Sequence, residues 1–258
     1  MDTVQSRDGT AIAFDRTGQG PPLILVVGAF CDRSTTIGLA RLLAPRFTVY
    51  AYDRRGRGAS GDVSPYAVER EIDDLDAVIG AAGGSAFVYG HSSGAVLGLE
   101  AAAVGLPIAK LVVYEPPYID DGSRARFGPD LADRLAALVA ADRRGEAATL
   151  FLVEAVGVPP DVVAMIRTGP DWSGMEAIAH TLPYDVTICS AQSMPADRMA
   201  KIRVPTLAVA GGASPAWARS AVEALAATIP DAKQLTIEGQ DHGVADEVIA
   251  PVLAEFLL

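Results

Sequence analysis

Short apolar runs alternate with longer amphipathic segments along most of this chain. The apolar runs are rich in Val, Ile, Leu and Tyr, and Gly, Pro or Asp closes each of them. This pattern predicts buried strands. The predicted strands are PLILVVGAF (22–30), FTVYAYD (47–53), SAFVYG (85–90), KLVVYEPP (110–117), PTLAVAGG (205–212) and KQLTIEG (233–239).

The segments between these runs carry apolar residues at helical spacing. Clear examples are residues 67–83, 94–105 and 216–230. The alternation predicts an α/β fold with a mostly parallel central sheet and helices on both faces, joined by right-handed crossovers. Ahead of the first core strand, TAIAFDRTG (10–18) predicts an antiparallel strand at the edge of this sheet.

One long region departs from the alternation. From about residue 118 to residue 200 the chain has amphipathic runs such as 129–145 and 159–169 but no good strand. We interpret it as a helical cap inserted after the fourth core strand. The predicted domains are therefore a core at 1–117 and 201–258 and a cap at 118–200.

Composition and charge narrow the class of protein. The 258 residues are 50% hydrophobic, which suits one globular domain with a sizeable core or one domain carrying an insertion. The net charge of −11 argues against a nucleic-acid partner. The N-terminus has no secretory pattern and no apolar run could span a bilayer, so we expect a cytoplasmic protein without a membrane partner. Cys31 and Cys189 cannot define a disulfide framework and lack metal-site spacing.

The candidate chemistry lies in YGHSSGA (89–95), where a predicted strand meets a predicted helix. Gly90, His91, Ser92, Ser93 and Gly94 match the pattern G-x-S-x-G. A sharp turn between strand and helix strains its central residue and crowds the neighbouring chain, so the pattern needs small flanking residues. A Gly/Ser-rich turn can match the pattern by chance, but the strand before it and the helix after it indicate a nucleophile elbow with Ser92 at its tip.

With this motif in place, nearly the whole chain resembles the α/β-hydrolase superfamily. DRRGRGAS (53–60) is similar to the family's D-x-R-G-x-G-x-S turn, and GQDHG (239–243) is similar to the late loop that carries its catalytic histidine. The family also places its cap where residues 118–200 lie. The resemblance implies a serine hydrolase but specifies no substrate.

A serine hydroxyl needs a base within hydrogen-bond reach, and the chain has only three histidines. We assign the base to His242, which follows the last predicted strand in the loop that returns to the sheet edge of the elbow. His91 adjoins Ser92, but in this family that position usually packs beside the site. His180 lies in the predicted cap, where a structural or pocket-lining role is expected.

The carboxylate that orients the base departs from the common family pattern. In most members it follows the strand that corresponds to 205–212, but this chain has Ser214 there. Some branches take the acid from the end of the strand after the elbow helix, where this chain has Glu115. A charged residue closing a buried strand also needs a partner. We predict Glu115 as the acid; a structural Glu115 with Asp241 or Asp120 assisting, or no acid at all, are the alternatives.

The resemblance also implies an oxyanion hole and a substrate pocket. Backbone N–H groups of Ser93 and Ala29 are the expected donors, although Val27-Gly28 replaces the family's His-Gly pair. We expect substrate contacts from Phe30, Cys31, His91, Trp172 and His180, with Met175, Ile178 and Met194 as further cap residues that could face the pocket.

The predicted function is hydrolysis of a carboxylic ester or lactone of small to medium apolar character through an acyl-enzyme. No metal or organic cofactor is called for, and the protein is expected to be a monomer or homodimer. A lyase or cyclase, and a carbon–carbon bond hydrolase or haloperoxidase-like enzyme, stay open as alternatives. A binding protein that has lost turnover is a weaker one, because binding alone requires no serine, histidine and acid in these places.

Overall fold

An eight-stranded β-sheet forms the centre of the computed structural model, which describes residues 1–120, 122–123 and 125–258. The strand order is β1-β2-β4-β3-β5-β6-β7-β8. Only β2 runs against its neighbours, and the strands from β4 to β8 pair in parallel, as the alternating pattern predicts. The strands are β1 (Asp2–Gln5), β2 (Ala11–Gly18), β3 (Pro22–Val26), β4 (Thr48–Tyr52), β5 (Ala86–His91), β6 (Ile108–Tyr114), β7 (Thr206–Gly211) and β8 (Ala232–Ile237).

Helices cover both faces of the sheet. Because strand residues alternate in direction, Leu111 and Val113 of β6 join the core on one face, and Val112 and Tyr114 join the core on the other. The first core packs against α2, α3 and α10, and the second against α1 and α11. These helices are α1 (Ile37–Leu43), α2 (Val68–Ala81), α3 (Ser93–Ala103), α10 (Ala216–Thr228) and α11 (Asp246–Leu257).

The chain between β6 and β7 is helical in its described part and has a third apolar cluster of its own. A π-helical turn at Phe151–Val156 and a 3-10 turn at Ala179–Thr181 interrupt its helices. This region corresponds to the cap predicted at 118–200, whose range includes two positions, 121 and 124, outside the described residues. Its helices are α4 (Leu131–Ala140), α5 (Arg144–Leu150), α6 (Pro160–Ile166), α7 (Trp172–Ile178), α8 (Leu182–Ile188) and α9 (Ala196–Met199).

Helix α8 joins this helical region to the sheet. The Tyr184 ring stacks on Tyr66 with centroids 4.0 Å apart, and the Tyr184 hydroxyl donates to Asp62 at 2.7 Å. Next along the helix, the Asp185 carboxylate is buried and ion-paired with Arg54 and Arg57 of the core. One face of the cap is thus fixed to the strand-end loops by polar contacts.

The structure corrects two predictions about the sheet. Residues 10–18 are not its edge, because β2 lies between β1 and β4. The short, polar segment DTVQ gives no apolar periodicity from which β1 could be predicted. The strand predicted at 22–30 ends at Val26, because the chain turns away from the sheet and Phe30 adopts a positive φ of 59°. Helices α1 and α11 were not among the predicted elements.

Candidate active site

Ser92 lies at a sharp turn between β5 and α3. Its φ of 57° and ψ of −123° are strained for a residue with a side chain. The flanking glycines are required by close packing: a Cβ on Gly90 would lie 2.5 Å from the Gly94 carbonyl oxygen, and one on Gly94 would lie 2.3 Å from the Val26 carbonyl oxygen. The turn therefore has the geometry that the G-x-S-x-G pattern predicts.

Glu115 and His242 meet at the carboxyl ends of the strands. Glu115 directly follows β6 and is completely buried, and its Oε2 lies 2.7 Å from His242 Nδ1. Its other oxygen accepts a hydrogen bond from the Gly211 amide at 2.8 Å. Burial alone would raise the pKa of Glu115, but the hydrogen bonds from His242 and Gly211, with the Ser214 hydroxyl nearby, outweigh it and hold the pKa below the ordinary value. An ionised Glu115 accepts a hydrogen bond from His242 Nδ1–H, which leaves Nε2 available as a base.

The loop that carries His242 is fixed by its main chain. The Tyr114 hydroxyl donates to the Asp241 carbonyl at 2.6 Å, and the Ala213 amide donates to the Gln240 carbonyl at 2.8 Å. The imidazole itself is about 45% exposed. Anchored backbone and an accessible ring suit a group that must exchange protons with a ligand.

His91 supports this loop from the elbow side. Its Nε2 lies 2.8 Å from the His242 carbonyl oxygen, which can only accept, so His91 Nε2 carries the proton. Removal from solvent and the neighbouring His242 lower the pKa of His91 to about 4. A neutral His91 at pH 7 therefore acts as a hydrogen-bond donor to the loop.

The other acids considered from the sequence have different contacts. The Asp241 carboxylate accepts from the Gly243 amide at 2.8 Å within its own loop. Asp120 accepts from the Met194 amide at 3.0 Å. Ser214, at the usual family position of the acid, is buried beside Glu115, and its hydroxyl makes no hydrogen bond of ordinary geometry with the described residues. Of these four side chains, Glu115 is the one that contacts His242.

The two segments expected to form the oxyanion hole lie against Ser92. Ser93 is the first residue of α3, where backbone N–H groups have no partner within the helix. A Cβ on Gly28 would lie 2.9 Å from the Cβ of Ser92 and 3.4 Å from its Oγ, so Ala29 follows a point of close approach to Ser92. Within the described residues, the Ser92 hydroxyl has no hydrogen-bond partner, which leaves it free for a ligand or base.

A buried charged cluster beneath these segments was not predicted. Arg54 and Arg57, from the family turn at 53–60, are fully buried. Arg54 pairs with Glu71 through two bonds of 2.7 Å, and both arginines pair with Asp185 of α8. Asp185 also accepts from the Ser93 hydroxyl at 2.7 Å. The signal for this cluster was present in the sequence, since charged residues inside apolar surroundings need partners.

A cavity of about 170 Å³ adjoins His242 and includes two of the predicted substrate contacts, Cys31 and His91. Burial raises the pKa of the Cys31 thiol, so it lines the cavity as a neutral group. Phe30 packs instead on Phe151 of the cap, with ring centroids 5.4 Å apart.

The predicted cap contacts lie in the packing of the cap. Trp172 is buried in the apolar cluster of the cap, 5.5 Å from the Arg167 guanidinium, and Met175 packs against the same cluster. Nε2 of His180 lies 2.6 Å from the Gly56 carbonyl oxygen, which ties the cap to the core. Met194 packs against the core on the α3 side of the sheet, and Ile178 is half-buried at the end of α7. None of these residues lines the 170 Å³ cavity.

Residues 1–120, 122–123 and 125–258 hold no group of three or more His, Cys, Asp or Glu side chains that could bind a metal ion. None of the helices in this part of the chain is both long enough and apolar enough to cross a membrane.

The comparison with protein families decides the classification. A model described as the alpha/beta hydrolase family matches residues 23–254. The chain belongs to the alpha/beta hydrolase family. The match includes the elbow, the Glu115 strand end and the His242 loop, so the candidate site lies within the part that defines this hydrolase family.

Three relatives illustrate the range within the family. An alpha/beta hydrolase from Sphaerobacter thermophilus DSM 20745 is 57% identical, with a TM-score of 0.95 and full coverage of both chains. The enol-lactonase from Burkholderia xenovorans LB400 is 21% identical with a TM-score of 0.72, and 99% of each chain is covered; at this identity the likeness is one of fold. N-formylmaleamate deformylase from Pseudomonas putida is 37% identical over 112 residues, which is 42% of this chain and 42% of that relative's length.

Proposed function

We propose that this alpha/beta hydrolase cleaves a small carboxylic ester or lactone of apolar character through an acyl-enzyme on Ser92. The observation that carries the proposal is a strained Ser92 next to His91, which bonds to the His242 carbonyl at 2.8 Å, together with a His242 whose Nδ1 is bound to the buried Glu115 at 2.7 Å. Ser92 follows β5, Glu115 follows β6, and His242 lies in the loop after β8. A turn with a purely structural role would not require a serine, a histidine and an acid at these strand ends.

The geometry supports a separate role for each group. Ionised Glu115 holds the Nδ1–H tautomer of His242, so that Nε2 can accept the Ser92 proton. Because the Ser92 hydroxyl has no partner among the described residues, its bond to Nε2 would form with substrate in place. The backbone N–H groups of Ser93 and Ala29 would bind the oxyanion.

The reaction then proceeds in two halves. Ser92 Oγ bonds to the substrate carbonyl carbon as its proton moves to His242 Nε2, and the carbonyl oxygen becomes an oxyanion. Collapse breaks the ester C–O bond, and the leaving alkoxide takes the proton from His242. Water then attacks the acyl-enzyme, His242 accepts a proton from it and returns one to Ser92, and the carboxylic acid leaves. A lactone follows the same steps and yields a hydroxy acid.

The cavity beside His242 is small, and Ser92 is not among the residues that line it. Its volume of about 170 Å³ lies below the range of about 300–1,000 Å³ that is typical of sites for drug-sized ligands. Leu25, Val26 and Ile249 are among its lining residues, so a substrate group that reached it from Ser92 would have to be apolar. Carboxylate-rich substrates are disfavoured by the acidic chain.

Deformylation of an N-formyl group is the second candidate. The sequence match to a deformylase supports it, and the same serine mechanism attacks a formamide carbonyl. The two candidates differ in the bond that breaks, C–O in the first and C–N in the second, so a substrate panel separates them.

Labelling with a fluorophosphonate tests the proposal. We expect native wild type to gain one adduct, located on Ser92 by tandem mass spectrometry, while Ser92→Ala and urea-denatured wild type gain none. The hydrolysis of p-nitrophenyl esters, lactones and N-formyl amides should then be measured with unlabelled enzyme and with fully labelled enzyme. A folded wild type that stays unlabelled would exclude an activated Ser92 and favour a lyase, a cyclase or a binding protein.

A further inference from the structure

The charged cluster beneath the elbow joins the cap to both segments of the expected oxyanion hole. Asp185 lies on cap helix α8, and it is buried to the same extent as its core partners. Its Oδ1 accepts from Arg54, from Arg57 and from the Ser93 hydroxyl at 2.7–2.8 Å, and its Oδ2 accepts from Arg57 at 2.7 Å. One cap carboxylate therefore contacts the elbow directly and the arginines of the core turn.

The arginines pass this contact on to the loop after β3. Arg57 Nη1 donates to the carbonyl oxygens of Gly28 and Cys31, and Arg54 Nη1 donates to that of Val27. The Gly28 carbonyl and the Ala29 N–H belong to one planar trans peptide, and they point in opposite directions. A carbonyl of Gly28 that is fixed on Arg57 therefore fixes the direction of the Ala29 N–H.

The second oxyanion donor is held by the same carboxylate. Ser93 carries the second expected N–H, and its side chain is bonded to Asp185 Oδ1 and to Arg54. The two donors lie on separate strand-end segments. The contacts of Asp185, Arg54 and Arg57 link these segments.

The charges explain why a carboxylate is needed at this position. Arg54 and Arg57 place two positive charges out of water, and Glu71 with Asp185 supply two negative ones. Glu71 bonds to Arg54, whereas Asp185 bonds to both arginines. Loss of the Asp185 charge would leave Arg57 without an anionic partner, and its Nε already lacks a hydrogen bond among the described residues.

We propose that Asp185 is a positioning residue by which the cap sets the two oxyanion donors, Ala29 N–H and Ser93 N–H, at the distance and direction that catalysis needs. The proposal rests on the proposed serine-hydrolase function. It assigns to the cap a part in transition-state stabilisation in addition to any part in covering the substrate.

The test compares Asp185→Asn with Asp74→Asn. Asp74 is equally buried and forms two bonds to Arg55 of the same turn, at 2.7 and 2.8 Å. The other bonds of Arg55 go to Asp8 and Arg70, outside the segments 27–31 and 92–93. The two variants therefore remove the same charge from similar surroundings, and only Asp185→Asn reaches the oxyanion segments.

Each variant is assayed for p-nitrophenyl acetate hydrolysis, for the second-order rate of fluorophosphonate labelling and for inhibition by a trifluoromethyl ketone. For Asp185→Asn we expect kcat and the labelling rate to fall by about 10²-fold with little change in KM, because displaced donors act on the transition state. The inhibition constant should rise in proportion to the loss of kcat/KM. Asp74→Asn should lose stability in urea but keep kcat and the labelling rate.

The outcomes separate this proposal from the proposed function. A wild type that is not labelled at Ser92 overturns both. If wild type is labelled but Asp185→Asn has the same kcat and labelling rate as wild type, the positioning role alone is overturned. The same holds if Asp185→Asn and Asp74→Asn lose kcat to the same extent. If Asp185→Asn does not fold, Arg57→Lys replaces it. Its single nitrogen keeps the charge but cannot occupy the positions of both Nη1, which bonds to the Gly28 carbonyl, and Nη2, which bonds to Asp185. An unchanged kcat in that variant overturns the proposal.

Discussion

Replacing Glu115 with Gln separates the proposed acid from its alternatives. The two groups bonded to the carboxylate are the Gly211 amide at 2.8 Å and His242 Nδ1 at 2.7 Å. Gln can keep its carbonyl on Gly211, but its NH₂ group then faces His242 and requires Nδ1 to be an acceptor. His242 then carries its proton on Nε2, so Nε2 can no longer accept the proton of Ser92.

The magnitude follows from this change of tautomer. Loss of the correct tautomer in a serine triad lowers kcat by about 10⁴-fold, which corresponds to about 5 kcal/mol in the activation barrier. The effect on folding should be smaller: one charge-assisted hydrogen bond is lost, and a buried charge is removed at the same time. We expect a change of about 1–2 kcal/mol in the free energy of unfolding.

The assay is steady-state hydrolysis of p-nitrophenyl acetate, with urea unfolding of the same samples. Asp241→Asn is the matched control, because Asp241 precedes His242 but bonds to the Gly243 amide. We expect that variant to stay within about 3-fold of wild type, as expected when no catalytic group is altered. If Asp241→Asn loses more activity than Glu115→Gln, or if Glu115→Gln keeps wild-type kcat, the assignment of the acid is refuted.

Three further changes test the surroundings of the site. Gly28→Ala should lower kcat by about 10²-fold, since its Cβ would lie 2.9 Å from that of Ser92, and unchanged ester kinetics would contradict the close approach. Burial holds the pKa of His91 at about 4, below the ordinary histidine value of about 6.5, so the native state binds fewer protons between these values and loses stability as the pH falls through them. His91→Gln should remove this loss of about 3 kcal/mol, and a urea-unfolding series from pH 7 to pH 4 with the wild-type slope would exclude the explanation. Ser214→Asp should raise the pKa of Glu115 and destabilise the protein by about 2 kcal/mol at pH 7 but less at pH 4, whereas Ser214→Asn, the neutral control, should show no such dependence on pH.

The central strands β3 to β7 were predictable from the sequence because they are buried on both faces, whereas most residues of the edge strand β8 are exposed. Runs such as 22–26 and 108–114 are apolar at nearly every position, and such runs stand out from the amphipathic helices between them. Strand β1 has no such signal, and its place at the edge depends on pairing with β2 rather than on its own composition. The end of β3 was predicted too late, because apolar residues of the loop at 27–30 continue the strand pattern while the backbone has already turned.

In the candidate site, the sequence allows a prediction of which residues lie close together when those residues are at strand ends, but not when they are in the cap. Ser92, Glu115 and His242 follow strands or strand-end loops of one parallel sheet, so their proximity follows from topology. The cap contacts cannot be argued in this way, because a helical insertion gives no register against the core. Trp172 and His180 were expected at the substrate on composition alone, and the structure has them in cap packing and on the Gly56 carbonyl.

The need of a buried charge for a partner extends beyond Glu115 to the buried arginines and Asp185. A charge at the end of an apolar strand needs a partner, which is one reason to expect Glu115 at the site. The same reasoning applies to Asp185, a lone acid in the apolar stretch of α8, and to the arginines of the turn at 53–60. Taken together, they would have predicted an ion pair between the cap and the core turn, although not its contact with Ser93. That contact depends on the depth to which α8 packs against α3, which is a tertiary property and has no sequence signal of its own.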